Sequence, residues 1–180
     1  MTDLAAPYVD ALDRLVALTD GLSFEDFNRK PSPKGWSAGE CVVHLNKIAK
    51  GYLPRLEAAA AQDGPRGEPP FRYGWLSRRF IESMRPGSRR IPTANAMRPP
   101  AAEGLLSDVD PERALERYRS DTDRFLAAIR QSEGLDLAAV KVRSPFLPLL
   151  RLPLGAMLEA LGLHCQRHVG QAERAVASPR

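Results

Sequence analysis

Three histidines are the residues of this chain whose type and spacing could do chemistry, and they are all the histidines it has. His164 and His168 stand four residues apart, so both imidazoles lie on one face of a helix, about 6 Å from each other. That spacing lets two ring nitrogens bind one metal ion at about 2.0–2.1 Å. His44 can supply a third ligand if its own helix faces theirs. Three neutral imidazoles suit Zn, Ni, Mn or Fe and leave positions for water or substrate.

The histidines are also compatible with a simpler role, and several well-defined site types are excluded. An inward histidine can be a hydrogen-bonded core residue, and an i, i+4 pair alone does not decide between core and ligand. The run from His164 to His168 has no glutamate after its first histidine, which excludes the metalloprotease helix. A di-iron bundle needs Glu-x-x-His on two helices, whereas Glu40 and His44 are four residues apart. The sequence has no phosphate-binding loop and no dinucleotide fingerprint.

Four segments carry apolar residues at helical spacing, and none shows convincing strand alternation. They cover residues 5–22, 38–61, 111–131 and 153–176. Ser37 and Glu40 form a predicted capping box before the second segment, and Asp110 with Pro111 opens the third. Four amphipathic helices with two longer connections favour an all-α four-helix bundle.

The connection over residues 62–109 is long and rich in proline and arginine. It holds seven of the 16 prolines. Between positions 62 and 103 there are eight arginines and four acidic residues. A loop of this length is usually functional or partly disordered, so we expect a lid with one short helix over 75–84. Its Arg78, Arg79 and Arg85 are candidates to bind a carboxylate of a cofactor or substrate.

Composition narrows the class of protein. A chain of 180 residues with 43% hydrophobic and 27% charged residues predicts one globular domain over 1–180. No apolar run is long enough for a membrane span, and the N-terminus lacks a secretory pattern, so we expect a cytoplasmic protein with no membrane partner. The net charge of +4 equals the surplus of arginine over residues 62–103, so we expect no nucleic-acid partner.

Two signatures resemble the DinB/YfiT-like superfamily. The run Trp36-Ser37-x-x-Glu40-x-x-x-His44-Leu45 is similar to the one that opens that family's second helix. The run Leu152-Pro153-Leu154-Gly155, followed by His164-x-x-x-His168-x-x-Gln171, is similar to that of its last helix. They occur in the expected order, and the resemblance covers roughly residues 5–176.

The resemblance implies a four-helix bundle of up-down-down-up topology with a divalent metal on His44, His164 and His168. Several branches of the family resemble thiol transferases that act with bacillithiol, mycothiol or glutathione. In that chemistry a metal lowers the pKa of the thiol and presents a thiolate to an electrophile. We therefore expect a metal-dependent transferase with a small-molecule substrate and a low-molecular-weight thiol. Family members are often homodimers, and the apolar Leu147, Leu149 and Leu150 suggest the dimer surface.

Several alternatives stay open. A metal-dependent hydrolase is the second enzymatic hypothesis, although no carboxylate base stands next to the predicted ligands. The other two alternatives are a non-catalytic bundle that binds a small ligand and a structural metal site that only stabilises the packing of the helices. Tyr52, Tyr118 and Thr122 have polar tips on inward faces and are candidate catalytic residues. Cys41, three residues before His44, is either a fourth ligand or a core residue.

Overall fold

The computed structural model describes residues 3–89, 93, 95–100, 104–147 and 149–179. In this part of the chain there are six α-helices: α1 (Ala6–Thr19), α2 (Phe24–Asn28), α3 (Ala38–Ala61), α4 (Trp75–Met84), α5 (Pro111–Gln131) and α6 (Leu154–Val176). The four long helices and the short helix over 75–84 are those that the periodicity predicts. The all-helical class is therefore confirmed, with one small sheet added to it.

The four long helices pack so that each has two main neighbours. α3 lies against α5 and α6, and α1 lies against α6 and α5. Tyr8 of α1 donates its hydroxyl to the carbonyl of Leu158 at 2.7 Å and stacks on Phe125, which joins α1 to both of its neighbours. α4 packs on α6, the helix that carries two of the three histidines.

The start of α3 is fixed by the predicted capping box. The Ser37 hydroxyl accepts the backbone N–H of Glu40 at 3.0 Å, and the Glu40 carboxylate accepts the backbone N–H of Ser37 at 2.9 Å. The hydroxyls of Ser37 and Ser107 are 2.8 Å apart, so the end of the 62–109 connection is bound to the same point. These contacts position His44, which follows in the first turns of α3.

A β-hairpin precedes α6 and corrects the expectation that the chain has no strands. β1 (Lys141–Arg143) pairs antiparallel with β2 (Arg151–Pro153), and the buried Val142 lies opposite Leu152. Strands of three residues are too short to show an alternating pattern, and the five-residue α2 is likewise too short to show a helical one. Because β2 leads directly into α6, the hairpin sets where that helix begins.

The described part of the 62–109 connection folds onto the helices. It contains α4 and a 3-10 turn over Asn95–Met97, while residues 90–92, 94 and 101–103 lie outside the described part. No helix in the described ranges combines the length and the apolar character that a membrane crossing requires. Leu149 is fully exposed and Leu147 half-exposed, but the structure holds one chain, so the homodimer stays a prediction.

We predict that Ser37→Ala lowers the free energy of unfolding by about 2 kcal/mol, because it removes both a helix cap and a buried hydroxyl pair. Ser23→Ala is the matched control: Ser23 caps α2 through the N–H of Asp26 but is exposed, so about 1 kcal/mol is expected. Urea unfolding measures both values. Equal losses would show that the contact with Ser107 adds nothing.

Candidate metal centre

α3 and α6 bring all three histidines to one place. One ring nitrogen of each of His44, His164 and His168 lies within 4.8 Å of the other two, and two rings are buried while that of His164 is half-buried. The Nε2 atoms of His44 and His164 are 3.1 Å apart. The ring of His168 has its centre 4.4 Å from that of His164 and 4.5 Å from that of His44. The predicted meeting of the three side chains is therefore confirmed.

This spacing fits a metal ion. Two nitrogens that each bind one ion at about 2.0–2.1 Å are themselves about 2.9–3.4 Å apart, and the pair His44–His164 falls inside that range. Within the described ranges these three are the one group of three or more His, Cys, Asp or Glu side chains close enough to share an ion. Structural zinc sites use four protein ligands, so a three-histidine group leaves coordination positions open.

A backbone carbonyl orients His44. Its Nδ1 lies 2.7 Å from the carbonyl oxygen of Met97, so Nδ1–H donates there and Nε2 keeps its lone pair for a metal. The Lys47 ammonium donates to the carbonyl of Arg98 at 2.6 Å and holds the same 3-10 turn against α3. Sequence reasoning missed Met97, because a backbone acceptor leaves no signature in residue type.

Two buried ring atoms indicate that these are not ordinary core histidines. The Nδ1 atoms of His164 and His168 are closed to solvent and have no hydrogen-bond partner among the residues described. An unpaired buried polar group costs about 1–3 kcal/mol. A hydrogen-bonded core histidine would not leave these atoms unpaired, so hydrogen bonding within the core does not account for the position of these two rings.

Burial keeps all three imidazoles neutral. Burial, assisted by the nearby His44 and Arg167, lowers the pKa of His164 to about 3. Burial and the neighbouring histidines lower the pKa of His168 well below its ordinary value. The pKa of His44 is also lowered by burial, although the Met97 carbonyl partly opposes this. Neutral rings have the free lone pairs that a metal requires.

The three histidines line a cleft of about 1120 Å³. Trp36 covers one side of the group, with its ring centre 5.0 Å from that of His44 and 5.8 Å from that of His168. Apolar side chains form another part of the wall: Ile48, Phe80, Met84, Phe146 and Leu161. No aspartate or glutamate lines the cleft among the residues that the structure describes.

Of the candidate catalytic residues, Tyr52 lines the cleft and the other two do not. The Tyr52 hydroxyl is 2.8 Å from the Ser144 hydroxyl, and burial raises the pKa of Tyr52. Tyr118 and Thr122 are buried in α5, and Tyr118 lies beside Cys165 in the core. Their positions provide no contact with a ligand in the cleft.

The candidate arginines of α4 also lie away from the cleft. Arg78, Arg79 and Arg85 are exposed and absent from its lining, and Arg85 forms an ion pair with Glu82 at 2.8 Å. Spacing within a helix could not show which side of α4 faces α6. The cations that do line the cleft were not predicted: Lys34, Arg98, Arg167 and Arg174.

Arg167 fastens α4 beside the metal centre. Its guanidinium donates to the carbonyl of Ser83 at 2.9 Å and to the Ser88 hydroxyl at 2.6 Å. Because Arg167 directly precedes His168, the end of α4 and the turn after it are held next to a predicted ligand. The position of this arginine inside the His164–His168 run was the signal that could have singled it out.

The cysteines stay outside the metal group. Cys41 is buried and does not belong to the cluster of close ligand atoms, and burial raises the pKa of its thiol far above the ordinary value. Burial raises the pKa of Cys165 to about 12. Both thiols therefore act as core residues. Gln171, one turn beyond His168, lines the cleft.

A comparison with protein families agrees with the geometry. The family model described as the DinB superfamily matches residues 8–172, a range that contains all three histidines. The chain belongs to the DinB superfamily. No curated protein and no solved structure gives a significant match. Membership of the DinB superfamily, expected from the two signatures, is thus confirmed.

We predict that the purified protein binds about one equivalent of a divalent metal and that His164→Ala removes it, because two imidazoles hold an ion much less tightly than three. Elemental analysis after incubation with Zn, Ni, Mn or Fe measures the stoichiometry. Cys165→Ala is the control. Cys165 is the next residue after His164, but its side chain lies in the core, so this variant should keep the metal. Equal loss in both variants would contradict the assignment.

We predict that the metal-free protein loses stability as the pH falls below about 6.5, the pKa of histidine in an unfolded chain. The folded pKa values are lower, so the unfolded state binds more protons, and the stabilisation present above about pH 6.5 disappears toward about pH 3. In His164→Asn, the slope of the free energy of unfolding against pH should fall by up to about 1.4 kcal/mol per pH unit. Denaturant unfolding between about pH 7.5 and 5 tests this, and an unchanged slope would refute it.

Proposed function

We propose that this protein is a divalent-metal-dependent enzyme that transfers a low-molecular-weight thiol to an electrophilic small molecule. The observation that carries the proposal is a three-histidine group that opens onto a large cleft without carboxylates in its described wall. The scaffold proposed with it is the four-helix bundle of up-down-down-up topology that the superfamily resemblance implies. The packing of α3 between α5 and α6 is consistent with such a bundle.

His44, His164 and His168 would hold the metal through one ring nitrogen each. When bound, a divalent metal supplies a Lewis acid that lowers the pKa of a thiol and favours the thiolate. The Met97 carbonyl keeps the lone pair of His44 Nε2 directed at the other rings. Trp36 and the apolar wall exclude water from one side of the group, which strengthens electrostatic interactions there.

The reaction needs no oxidant or reductant. The thiol loses its proton to solvent or buffer, its sulfur forms a bond to an electrophilic carbon, and the leaving group departs with the electron pair of the broken bond. For an addition reaction, the electron pair moves instead onto the acceptor, which then takes a proton. The Tyr52 hydroxyl, kept protonated by burial, is one group in the described cleft wall that could donate that proton.

The lack of carboxylates in the described cleft wall favours thiol transfer over hydrolysis. Hydrolysis on a metal is commonly assisted by a base that takes a proton from water, as glutamate does in metalloproteases. A thiol has a pKa near about 8.5 before any metal acts on it, so it ionises with less help than water. The three imidazoles would hold the metal and could not serve as that base.

The test is thiol-dependent turnover of the metal-loaded protein. Protein loaded in turn with Zn, Ni, Mn or Fe is incubated with glutathione, mycothiol or bacillithiol and with monochlorobimane, and adduct fluorescence is followed. We expect at least one pair of metal and thiol to give a rate at least about tenfold above the uncatalysed reaction. His168→Asn should abolish it, and Cys41→Ala should not.

Two further outcomes would redirect the assignment. Metal-dependent cleavage of an ester with no thiol requirement would favour the hydrolase. Tight metal binding with no turnover of any substrate would favour a ligand-binding or structural role. A structural role would also require that metal removal lowers the melting temperature steeply.

A further inference from the structure

The cleft has two chemically different ends, with the histidines between them. Ile48 and Tyr52 follow His44 at successive turns of α3, and Leu161 precedes His164 on α6. The Tyr52 hydroxyl is 2.8 Å from that of Ser144, which directly follows β1, and β2, the partner of β1, leads into α6. The later turns of α3 and the start of α6 therefore lie at the same end of the cleft. Phe146 closes this end: its ring makes an edge contact with Tyr52, with the ring centres 5.7 Å apart. A Cβ on Gly51 would lie 2.5 Å from the Phe146 ring, so only glycine permits this approach.

The opposite end is polar and cationic. Gln171 and Arg174 follow His168 along α6, Ser178 lies just beyond the end of that helix, and all three line the cleft. At about 1.5 Å per residue, the backbone of Arg174 lies about 9 Å beyond that of His168. Lys34 lines the cleft from the loop before α3, which the packing of Trp36 on His44 and His168 holds against the histidines.

Lys34 and Arg174 are the cations of the cleft that are available to a ligand. Arg98 donates to the carbonyl of Thr93 at 3.0 Å, and Arg167 holds the end of α4, so both have structural partners. Neither Lys34 nor Arg174 forms a salt bridge or a side-chain hydrogen bond with any residue in the described ranges. No carboxylate lines the described wall, and Glu173, whose Oε2 lies near Arg174 Nη1 above Gly170, forms its ion pair with Arg14 at 2.7 Å.

We propose that the cleft binds an elongated ligand with an organic anion, such as a carboxylate, at Lys34 and Arg174 and an apolar group at Phe146 and Leu161. The atom that reacts lies between them, at the histidines. This inference rests on the proposed function for its central part, which requires a metal. The two end sites consist of protein side chains alone, so they can be tested without metal.

A pair of fluorescent probes separates the two ends. 8-Anilinonaphthalene-1-sulfonate has an aromatic body and an anionic group, and N-phenyl-1-naphthylamine has the same body without the charge. Fluorescence titration of the metal-free protein gives a dissociation constant for each probe. We expect the anionic probe to bind at least about fivefold more tightly than the neutral one, because the sulfonate can form charge-assisted hydrogen bonds.

Variants assign each end. The double substitution Lys34→Met with Arg174→Met should raise the dissociation constant of the anionic probe about tenfold and change that of the neutral probe less than about twofold. Arg78→Met with Arg79→Met is the matched control: it removes the same charge from exposed positions on α4 outside the cleft lining and should leave both dissociation constants essentially unchanged. Phe146→Ala should weaken both probes.

The outcomes are decisive in each direction. Equal weakening of the anionic probe by both double variants would show an effect of net charge alone and overturn the proposal. Equally weakened binding of both probes in the Lys34 and Arg174 variant would also overturn the proposal. Circular dichroism and cooperative thermal unfolding verify that each variant is folded. The expected probe pattern in a protein that binds no metal would support the two-ended cleft and reject the proposed enzyme function.

Discussion

Three uncharged imidazoles lie together between α3 and α6, and most of the structure around them keeps the rings close and uncharged. Their ring centres are 4.4 to 5.3 Å apart, a distance at which protonated rings would repel one another strongly in a poorly solvated site. Burial solves this problem by disfavouring the charged forms. The same neutrality provides free lone pairs, so a single physical condition permits both the packing of the rings and the binding of a cation.

Neutral ligands also affect what a bound cation can do. Carboxylate ligands would cancel part of the charge of a divalent ion, whereas imidazoles leave its full charge on the centre. The described cleft wall adds four basic residues and no acidic ones. A cation held there would act on substrate with little compensation from nearby negative charge, which suits the stabilisation of an anion such as a thiolate.

The 62–109 connection is part of the site rather than an appendage to it. It supplies the Met97 carbonyl that orients His44, and Phe80 and Met84 in the wall. Lys47 and Arg167 attach it to the two helices that carry the histidines, each within three residues of one of them. The shape of the cleft and the orientation of a ligand residue thus depend on a segment with little secondary structure of its own.

The sequence by itself determined the long helices, the caps of α3 and α5 and the identity of the three candidate ligands. Helical periodicity, the capping box at Ser37 and the i, i+4 pair His164–His168 are local patterns whose geometry is fixed by the helix. The fold class followed from the same periods, and the superfamily followed from two spaced signatures. The short hairpin was missed because three residues carry no detectable period. Only the tertiary structure decided which polar side chains reach the cleft. Tyr52, Tyr118 and Thr122 all face inward from their helices, yet Tyr52 alone of these lines the cleft, because the packing of α3, α5 and α6 determines what each inward face meets. Lys34 and Arg174, from distant parts of the chain, come to the same cleft. The Met97 carbonyl shows the reason most clearly: every residue has a carbonyl, so only its location in space gives it a role.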